Sequence, residues 1–243
     1  MKLLGRPASD ILAVTMPCFG TTKRTRSNAE RLCELLGTRL RVIDIADSVK
    51  QHFKDIGHDE SNHNVVYENG QARERTKILM DLANAENGMV IGTGDLSELA
   101  LGWATYNGDH ISMYSVNCSV PKTLIRYVIG WVGDNSTAQV RAILQDIIDT
   151  PVSPELLPAA QDGTIQQKTE DIIGPYEIHD FFLYHFLKYG AAPEKLRFLA
   201  EHAFAGTYTA VQIETWLKTF LRRFFTQQFK RTGMPDGPKV GTI

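Results

Sequence analysis

The sequence predicts an α/β protein that begins with a parallel sheet and ends with helices. Short apolar runs alternate with helical stretches in the first half: strands at 11–15 and 40–45 flank a helix over 28–36, which Gly37 ends. A second helix over 70–85 precedes an apolar run at 88–92 that is typical of a buried strand. This β-α-β alternation predicts a doubly wound, Rossmann-like parallel sheet.

The pattern changes after Pro121. Helical periodicity covers 124–131 and 140–148, and two apolar stripes follow at 178–189 and 213–225. We interpret both stripes as core or subunit contact, with His185 as a core histidine. Thr209 and Gln212 have the spacing of a capping box at the start of the last helix. The C-terminal part is therefore expected to be helical.

Composition favours an intracellular protein with a small ligand. The net charge of -2 lacks the excess of positive charge that is typical of proteins that bind nucleic acid or an anionic membrane. The three cysteines include no CxxC pair, so neither a disulfide framework nor a zinc site is indicated. The first residues lack a signal-peptide core, and no apolar window approaches the roughly 18 residues of a membrane span. We expect a cytoplasmic protein without nucleic-acid or membrane partners.

The loop after the third predicted strand carries the strongest chemical signal. Ligands of an open parallel sheet bind beyond the carboxyl ends of its strands. Gly92 and Gly94 let backbone approach a ligand there, Thr93 offers a hydroxyl, and a helix N-terminus follows. This loop and the helix N-terminus after it favour the binding of phosphate or a metal-bound oxyanion. The alternative is purely structural, with Asp95 capping the helix and Glu98 closing a capping box.

Other common chemistries lose their support in this sequence. The third glycine of a GxGxxG fingerprint is Ser97 here, and no GxxxxGK[ST] segment occurs. The seven histidines are scattered without a defensible metal-ligand geometry. Cys18 is more simply a small buried residue than a nucleophile. Hydride-transfer, P-loop and histidine-metal readings are therefore disfavoured.

Long segments resemble the synthetase domain of the NAD synthetase family. They are DILAVTMP at 10–17, GTGDLSELALGWATYNGDHISMYSVNCSVPKTLIRYVIGWV at 92–132, and shorter stretches at 153–158, 167–171, 173–177 and 228–231. The resemblance covers essentially all of 1–243. It implies a fold of the adenine nucleotide alpha hydrolase, or ATP pyrophosphatase, type.

The resemblance also implies a reaction. In this family the nicotinate carboxylate of deamido-NAD attacks the α-phosphorus of ATP, pyrophosphate leaves, and ammonia displaces AMP. Long-form members obtain ammonia from glutamine in a preceding nitrilase-like domain, and they form homo-oligomers with deamido-NAD at a subunit interface. ATP is the co-substrate and Mg²⁺ the expected metal.

Site residues follow from the same resemblance, position by position. Glu98 is expected to contact deamido-NAD or Mg²⁺ and to serve catalysis together with Lys122, which lies near the phosphates. Thr93 is expected to contact ATP. The remaining residues expected to bind deamido-NAD are Asn69, Trp103, Ala104, Thr105, Tyr106, Lys230 and Arg231. Without the resemblance, Lys230 and Arg231 are better interpreted as cations at a solvated helix end.

Three parts of the family pattern are absent from this sequence. The SGGxDS loop, whose backbone amides hold pyrophosphate in the family, is absent from the 243 residues, as are the glutaminase domain and the usual C-terminal extension. We therefore expect an internal fragment with little or no activity by itself. Two alternatives stay open: an ATP pyrophosphatase acting on another acyl substrate, and a non-catalytic binding module.

Overall fold

The computed structural model describes residues 1–21, 23–153, 156–157 and 169–241. Parts of the resemblance segments at 153–158 and 167–171 lie outside the described residues. The chain divides into two compact units. The first comprises Met1–Leu79 and Arg126–Lys168, and the second comprises Met80–Ile125 and Thr169–Ile243.

The first unit contains one β-α-β element. Strand β1 (Leu12–Thr15) pairs in parallel with β2 (Arg39–Val42), and helix α1 (Lys23–Leu36) connects them. The predicted strand-helix-strand order is confirmed, although β2 ends three residues earlier than expected. The other helices of this part of the chain are α2 (Ala46–Ile56), α3 (Val65–Ala85), α5 (Lys122–Asp134) and α6 (Ala138–Ile148). Of these, α3 ends in the second unit and α5 begins there.

An aromatic core closes the first unit. Ile45, Val49 and Phe53 on and before α2 are fully buried, and they cluster with Met16 and Tyr67. The Phe53 and Tyr67 rings stack with their centroids 5.5 Å apart. Burying side chains of this size contributes about 1.5 to 3 kcal/mol each. The segment after β1 is thereby held against α2 and α3.

The second unit pairs β3 (Ile91–Gly92) in parallel with β4 (Tyr114–Ser115). The apolar run at 88–92 therefore contributes only two residues to a strand, because Tyr114 and Ser115 are its whole hydrogen-bonded partner. The expected continuous sheet is not what the described residues form. They contain two separate two-stranded parallel sheets.

Helices make up most of the second unit. They are α4 (Leu96–Leu101), α7 (Thr169–Ile173), α8 (Tyr176–Tyr189), α9 (Pro193–Ala203) and α10 (Ala210–Thr226), followed by a 3-10 helix (Gln228–Gly233). The predicted capping box of Thr209 and Gln212 is present at the start of α10. No helix in the described part of the chain is both long and apolar enough to cross a membrane.

The two predicted apolar stripes supply the core of this unit. Ile178 and Phe182 of α8 and Ile213 and Phe220 of α10 have no exposed surface. The expectation for His185 is wrong, because this residue is only half-buried. The core histidine is instead His179, which lies one helical turn before Phe182 on the buried face of α8.

Candidate active site

The loop after β3 leads into α4 through a complete capping box. Asp95 is almost fully buried, and its Oδ1 accepts a hydrogen bond from the Glu98 backbone N–H at 2.9 Å. In return, Glu98 Oε2 accepts from the Asp95 N–H at 3.1 Å. The structural interpretation of this acid pair is thus confirmed. It uses only one oxygen of each carboxylate.

The second oxygen of each carboxylate faces Lys122, the first residue of α5. Lys122 Nζ lies 2.6 Å from Asp95 Oδ2 and 2.7 Å from Glu98 Oε1. The Tyr176 ring lies beneath the same ammonium, with its centroid 5.5 Å away. Helix α4 therefore presents two carboxylates to one cation, an arrangement that a capping box alone does not require.

Burial makes this cluster electrostatically sensitive. It raises the pKa of Asp95 to about 6; the negative charge of Glu98 adds to the rise, and Lys122 opposes it. Burial acts to lower the pKa of Lys122, but the carboxylates of Glu98 and Asp95 outweigh it and raise that pKa. Lys122 is accordingly held as an ammonium, and removing either acid would leave its charge poorly compensated.

Glu98 is the carboxylate that a metal could reach. The Glu98 side chain keeps 24% of its surface exposed, whereas Asp95 keeps 1%. The described residues contain no cluster of three or more acidic, histidine or cysteine side chains fit to hold a metal ion. Mg²⁺ in nucleotide sites uses only one or two carboxylates and takes its other ligands from phosphates and water. Glu98 fits that role without a protein cage.

The segment Trp103, Ala104, Thr105 and Tyr106 forms a tight loop after α4. Gly102 ends the helix at φ 58°, and the Trp103 N–H donates to Glu98 O at 2.9 Å. The loop is closed by Asp109, which accepts from the Thr105 N–H at 2.7 Å. Tyr106 is 38% exposed, and its ring packs against the rings of His110 and Phe229, with centroid distances of 5.4 and 5.5 Å.

Lys230 and Arg231 hold this loop and the end of α4. Lys230 Nζ donates to the carbonyl oxygens of Gly102 and Ala104 at 2.8 and 2.5 Å. Arg231 Nη1 donates to the Ala100 carbonyl at 3.2 Å. Cations at carbonyl-rich helix ends are favourable. The helix-end interpretation is therefore correct in kind, but the helix is α4 rather than the one that precedes these residues.

The predicted site residues divide between the two units. Thr93 is exposed beside Gly94, immediately before α4. Glu98, Lys122, Trp103 to Tyr106, Lys230 and Arg231 all belong to the second unit, whereas Asn69 lies on α3 in the first unit. Their ligand-binding roles stay predictions.

Sequence reasoning missed three residues of this neighbourhood. Tyr176 lies under Lys122, Arg223 donates to the Leu101 carbonyl at 2.9 Å, and Asp180 binds the start of α5. The residues at 176 and 180 lie one helical turn apart at the start of α8, a spacing that could have marked them. Arg223 had no such signal because it lies within the apolar stripe at 213–225, which indicated only core.

Comparison with known proteins places the chain in a family. The NAD synthase family model matches residues 2–215. A glutamine-dependent NAD(+) synthetase of Mycobacterium leprae (strain TN) is 44% identical over 260 aligned positions, which cover 97% of this chain and 38% of that protein. The corresponding protein of Mycobacterium bovis is 42% identical with the same coverage. This chain therefore spans a little over a third of the curated relatives it matches.

Solved structures agree on the fold. The glutamine-dependent NAD(+) synthetase from Cytophaga hutchinsonii superposes with a TM-score of 0.75 at 20% identity, covering 95% of this chain and 36% of that one. The NMN synthetase from Francisella tularensis gives 0.61 at 20% identity, covering 89% and 75%. Both likenesses support the expected α/β fold. With its sequence matched over residues 2–215, the chain belongs to the NAD synthase family.

Proposed function

We propose that this chain is the amidating part of a longer enzyme that makes NAD⁺ from deamido-NAD, ATP and ammonia. The observation that carries the proposal is the Lys122 ammonium held between Asp95 and Glu98 at the loop where a parallel strand ends. Nucleotides bind at such loops. Membership of the NAD synthase family supports the same assignment.

The reaction has two steps. A nicotinate carboxylate oxygen forms a bond to the α-phosphorus of ATP, and the bond to the β-phosphate oxygen breaks as pyrophosphate leaves. Ammonia then forms a C–N bond to the acyl carbon and loses a proton, and AMP departs with the carboxylate oxygen. The first step is needed because an unactivated carboxylate resists attack by an amine.

Each site residue has a physical role in this proposal. Lys122 would offset the negative charge that develops on the α-phosphoryl oxygens, and one such contact contributes about 3 to 4 kcal/mol in comparable sites. Glu98 would hold Mg²⁺, which supplies charge neutralisation when bound. Thr93 would donate to ATP. Tyr106 and its neighbours Trp103, Ala104 and Thr105 would cover the dinucleotide, with Lys230 and Arg231 beside them. For Asn69, the proposed contact with deamido-NAD rests on the family resemblance alone.

The wider setting is also proposed from the family. Ammonia would come from glutamine in a separate nitrilase-like domain, and the enzyme would act as a homo-oligomer. The three cysteines are free thiols, which agrees with a reducing cytoplasm. The 243 residues contain no SGGxDS segment. We therefore propose that this chain, assayed alone, forms NAD⁺ very slowly or not at all.

An isotope experiment tests the chemistry. The long-form protein is given deamido-NAD labelled with ¹⁸O in its carboxylate, together with ATP, Mg²⁺ and ammonium. The expected result is NAD⁺ formation with one ¹⁸O atom in each AMP, because that oxygen bridges the acyl carbon and phosphorus. Unlabelled AMP, or ADP and phosphate as products, would contradict the adenylated intermediate. If the protein forms no NAD⁺ from deamido-NAD but amidates another carboxylic acid, the result would favour a different acyl substrate.

A further inference from the structure

The start of α5 is fixed by a carboxylate from another helix. The Lys122 backbone N–H donates to Ser97 Oγ at 2.8 Å, and the Thr123 N–H donates to Asp180 Oδ2 at 2.9 Å. The Thr123 hydroxyl donates to the same oxygen at 2.7 Å. Ser97 Oγ donates in turn to Asp180 Oδ1. Two N–H groups at the start of α5, which have no acceptor within the helix, are thus bound by Asp180 directly (Thr123) or through Ser97 (Lys122).

This network connects the two halves of the acid-lysine cluster. Ser97 precedes Glu98 in α4, and Thr123 follows Lys122 in α5. Asp180 binds both neighbours from the first half of α8. Hydrogen bonds to an ionised carboxylate are shorter and about twice as strong as neutral ones. A negative charge at the N-terminus of α5 is favourable as well.

Burial limits the access of water to this network. Ser97 is 1% exposed and the Asp180 side chain is only partly accessible, so water competes weakly for these bonds. Burial raises the pKa of Asp180, while its bonds from Ser97 and Thr123 act to lower it. A single oxygen, Asp180 Oδ2, accepts from both the backbone N–H and the hydroxyl of Thr123.

We propose that Asp180 is a positioning residue for amidation: it sets the distance between Lys122 and Glu98 by binding Thr123 and Ser97. The proposal rests on the function proposed above, because it assigns Lys122 to the phosphates. A misplacement of about 1 Å in such a group costs on the order of 100-fold in rate. Asp180 itself touches no reacting atom.

A labelling experiment on the present chain tests the positioning without any activity. Wild type, Asp180→Asn and Asp171→Asn are exposed briefly to acetic anhydride, and acetylation of Lys122 is compared with that of exposed Lys188 by mass spectrometry. Asp171 is an exposed acid on α7 and serves as the matched control. We expect Asp180→Asn to raise the Lys122 rate about tenfold relative to Lys188. An unchanged ratio would overturn the proposal, and an equal rise in the control would do the same.

A kinetic experiment on the long-form enzyme tests the consequence. Asp180→Asn is expected to lower kcat about 10- to 100-fold with little change in KM for deamido-NAD. Combined with Lys122→Met, it should add no further loss, because its effect passes through Lys122. Losses that multiply in the double variant would overturn the proposal. If Asp180→Asn fails to fold, Thr123→Val removes one of the bonds and is expected to give a smaller loss of the same kind.

The two experiments separate the possible failures. If the wild-type enzyme forms no NAD⁺, the proposed function fails while the labelling result still decides whether Asp180 positions Lys122. If NAD⁺ forms normally and Lys122 labelling ignores Asp180→Asn, only the positioning role fails.

Discussion

His179 makes the stability of the second unit depend on pH. Its ring has 1% exposed surface, its Nε2 lies 2.7 Å from the Ile173 carbonyl, and it stacks on Phe220 with centroids 6.3 Å apart. Burial lowers its pKa to about 4; the Ile173 carbonyl opposes the shift and the Arg223 charge adds to it. Nδ1 has no hydrogen-bond partner among the described residues, so the neutral ring is the form that this core accepts.

The direction of the effect follows from the lowered pKa. An unfolded histidine titrates near 6.5, so between about pH 6.5 and 4 the unfolded chain binds a proton that folded His179 does not. The stability that neutral His179 contributes is therefore fully present above about pH 6.5 and is lost as the pH falls toward 4. A pKa difference of about 2.5 units corresponds to about 3 kcal/mol at the limit, of which about 2 kcal/mol is lost by pH 5.

The assay is urea unfolding of wild type, His179→Gln and His202→Gln at pH 8 and pH 5. Tryptophan fluorescence serves as the probe, since Trp103 and Trp216 both lie in the second unit. His202 is exposed on α9 and provides the matched control. Between pH 8 and pH 5, the loss in free energy of unfolding should be about 2 kcal/mol smaller in His179→Gln than in wild type. In His202→Gln it should equal the wild-type loss. Equal losses in all three proteins would refute the reasoning.

Three further substitutions test the packing of the second unit, each by thermal or urea unfolding. Gly174→Ala should lower the free energy of unfolding by about 3 kcal/mol or more, since Gly174 has φ 96° and a new Cβ would lie 2.4 Å from Trp216 Cδ1. Its control is Gly190→Ala, at φ 60° in open space, which should lower that free energy by only about 1 kcal/mol. Equal losses in the two variants would contradict the clash with Trp216. Thr209→Ala should cost about 1 kcal/mol by removing the capping box of α10; no change would mean that the box is redundant. Phe220→Ala should cost about 3 to 5 kcal/mol, because this ring is fully buried, and a loss below 1 kcal/mol would show that the site collapses.

Local patterns predicted the elements of this fold well. The capping boxes at Asp95 and Thr209 follow from residue types three positions apart, and both are present. Helical periodicity placed Phe182 and Phe220 in the core. Such features depend on neighbours in sequence, so the sequence alone carries them.

Long-range partners were not predictable in the same way. Nothing near Lys122 indicates that its ammonium lies between Asp95 and Glu98, or that Asp180, 57 residues after Thr123, binds the start of its helix. The expected substrate contact of Lys230 stays a prediction; in this structure Lys230 binds the carbonyls of Gly102 and Ala104, partners that no pattern near it indicated. Contacts of this kind are set by how distant helices pack, which single-residue patterns do not encode.

Glu98→Gln in the long-form enzyme tests the central claim most directly. Glutamine can still accept from the Asp95 N–H, so the capping box should be preserved. Lys122 keeps Asp95 as its charged partner but loses the Glu98 charge, so the melting temperature should fall only modestly. Losing the charge that faces Lys122, and that is proposed to hold Mg²⁺, should lower NAD⁺ formation per folded molecule by about 100- to 1,000-fold. Unchanged turnover with a lowered melting temperature would contradict the account, because Glu98 would then serve only as part of the helix cap.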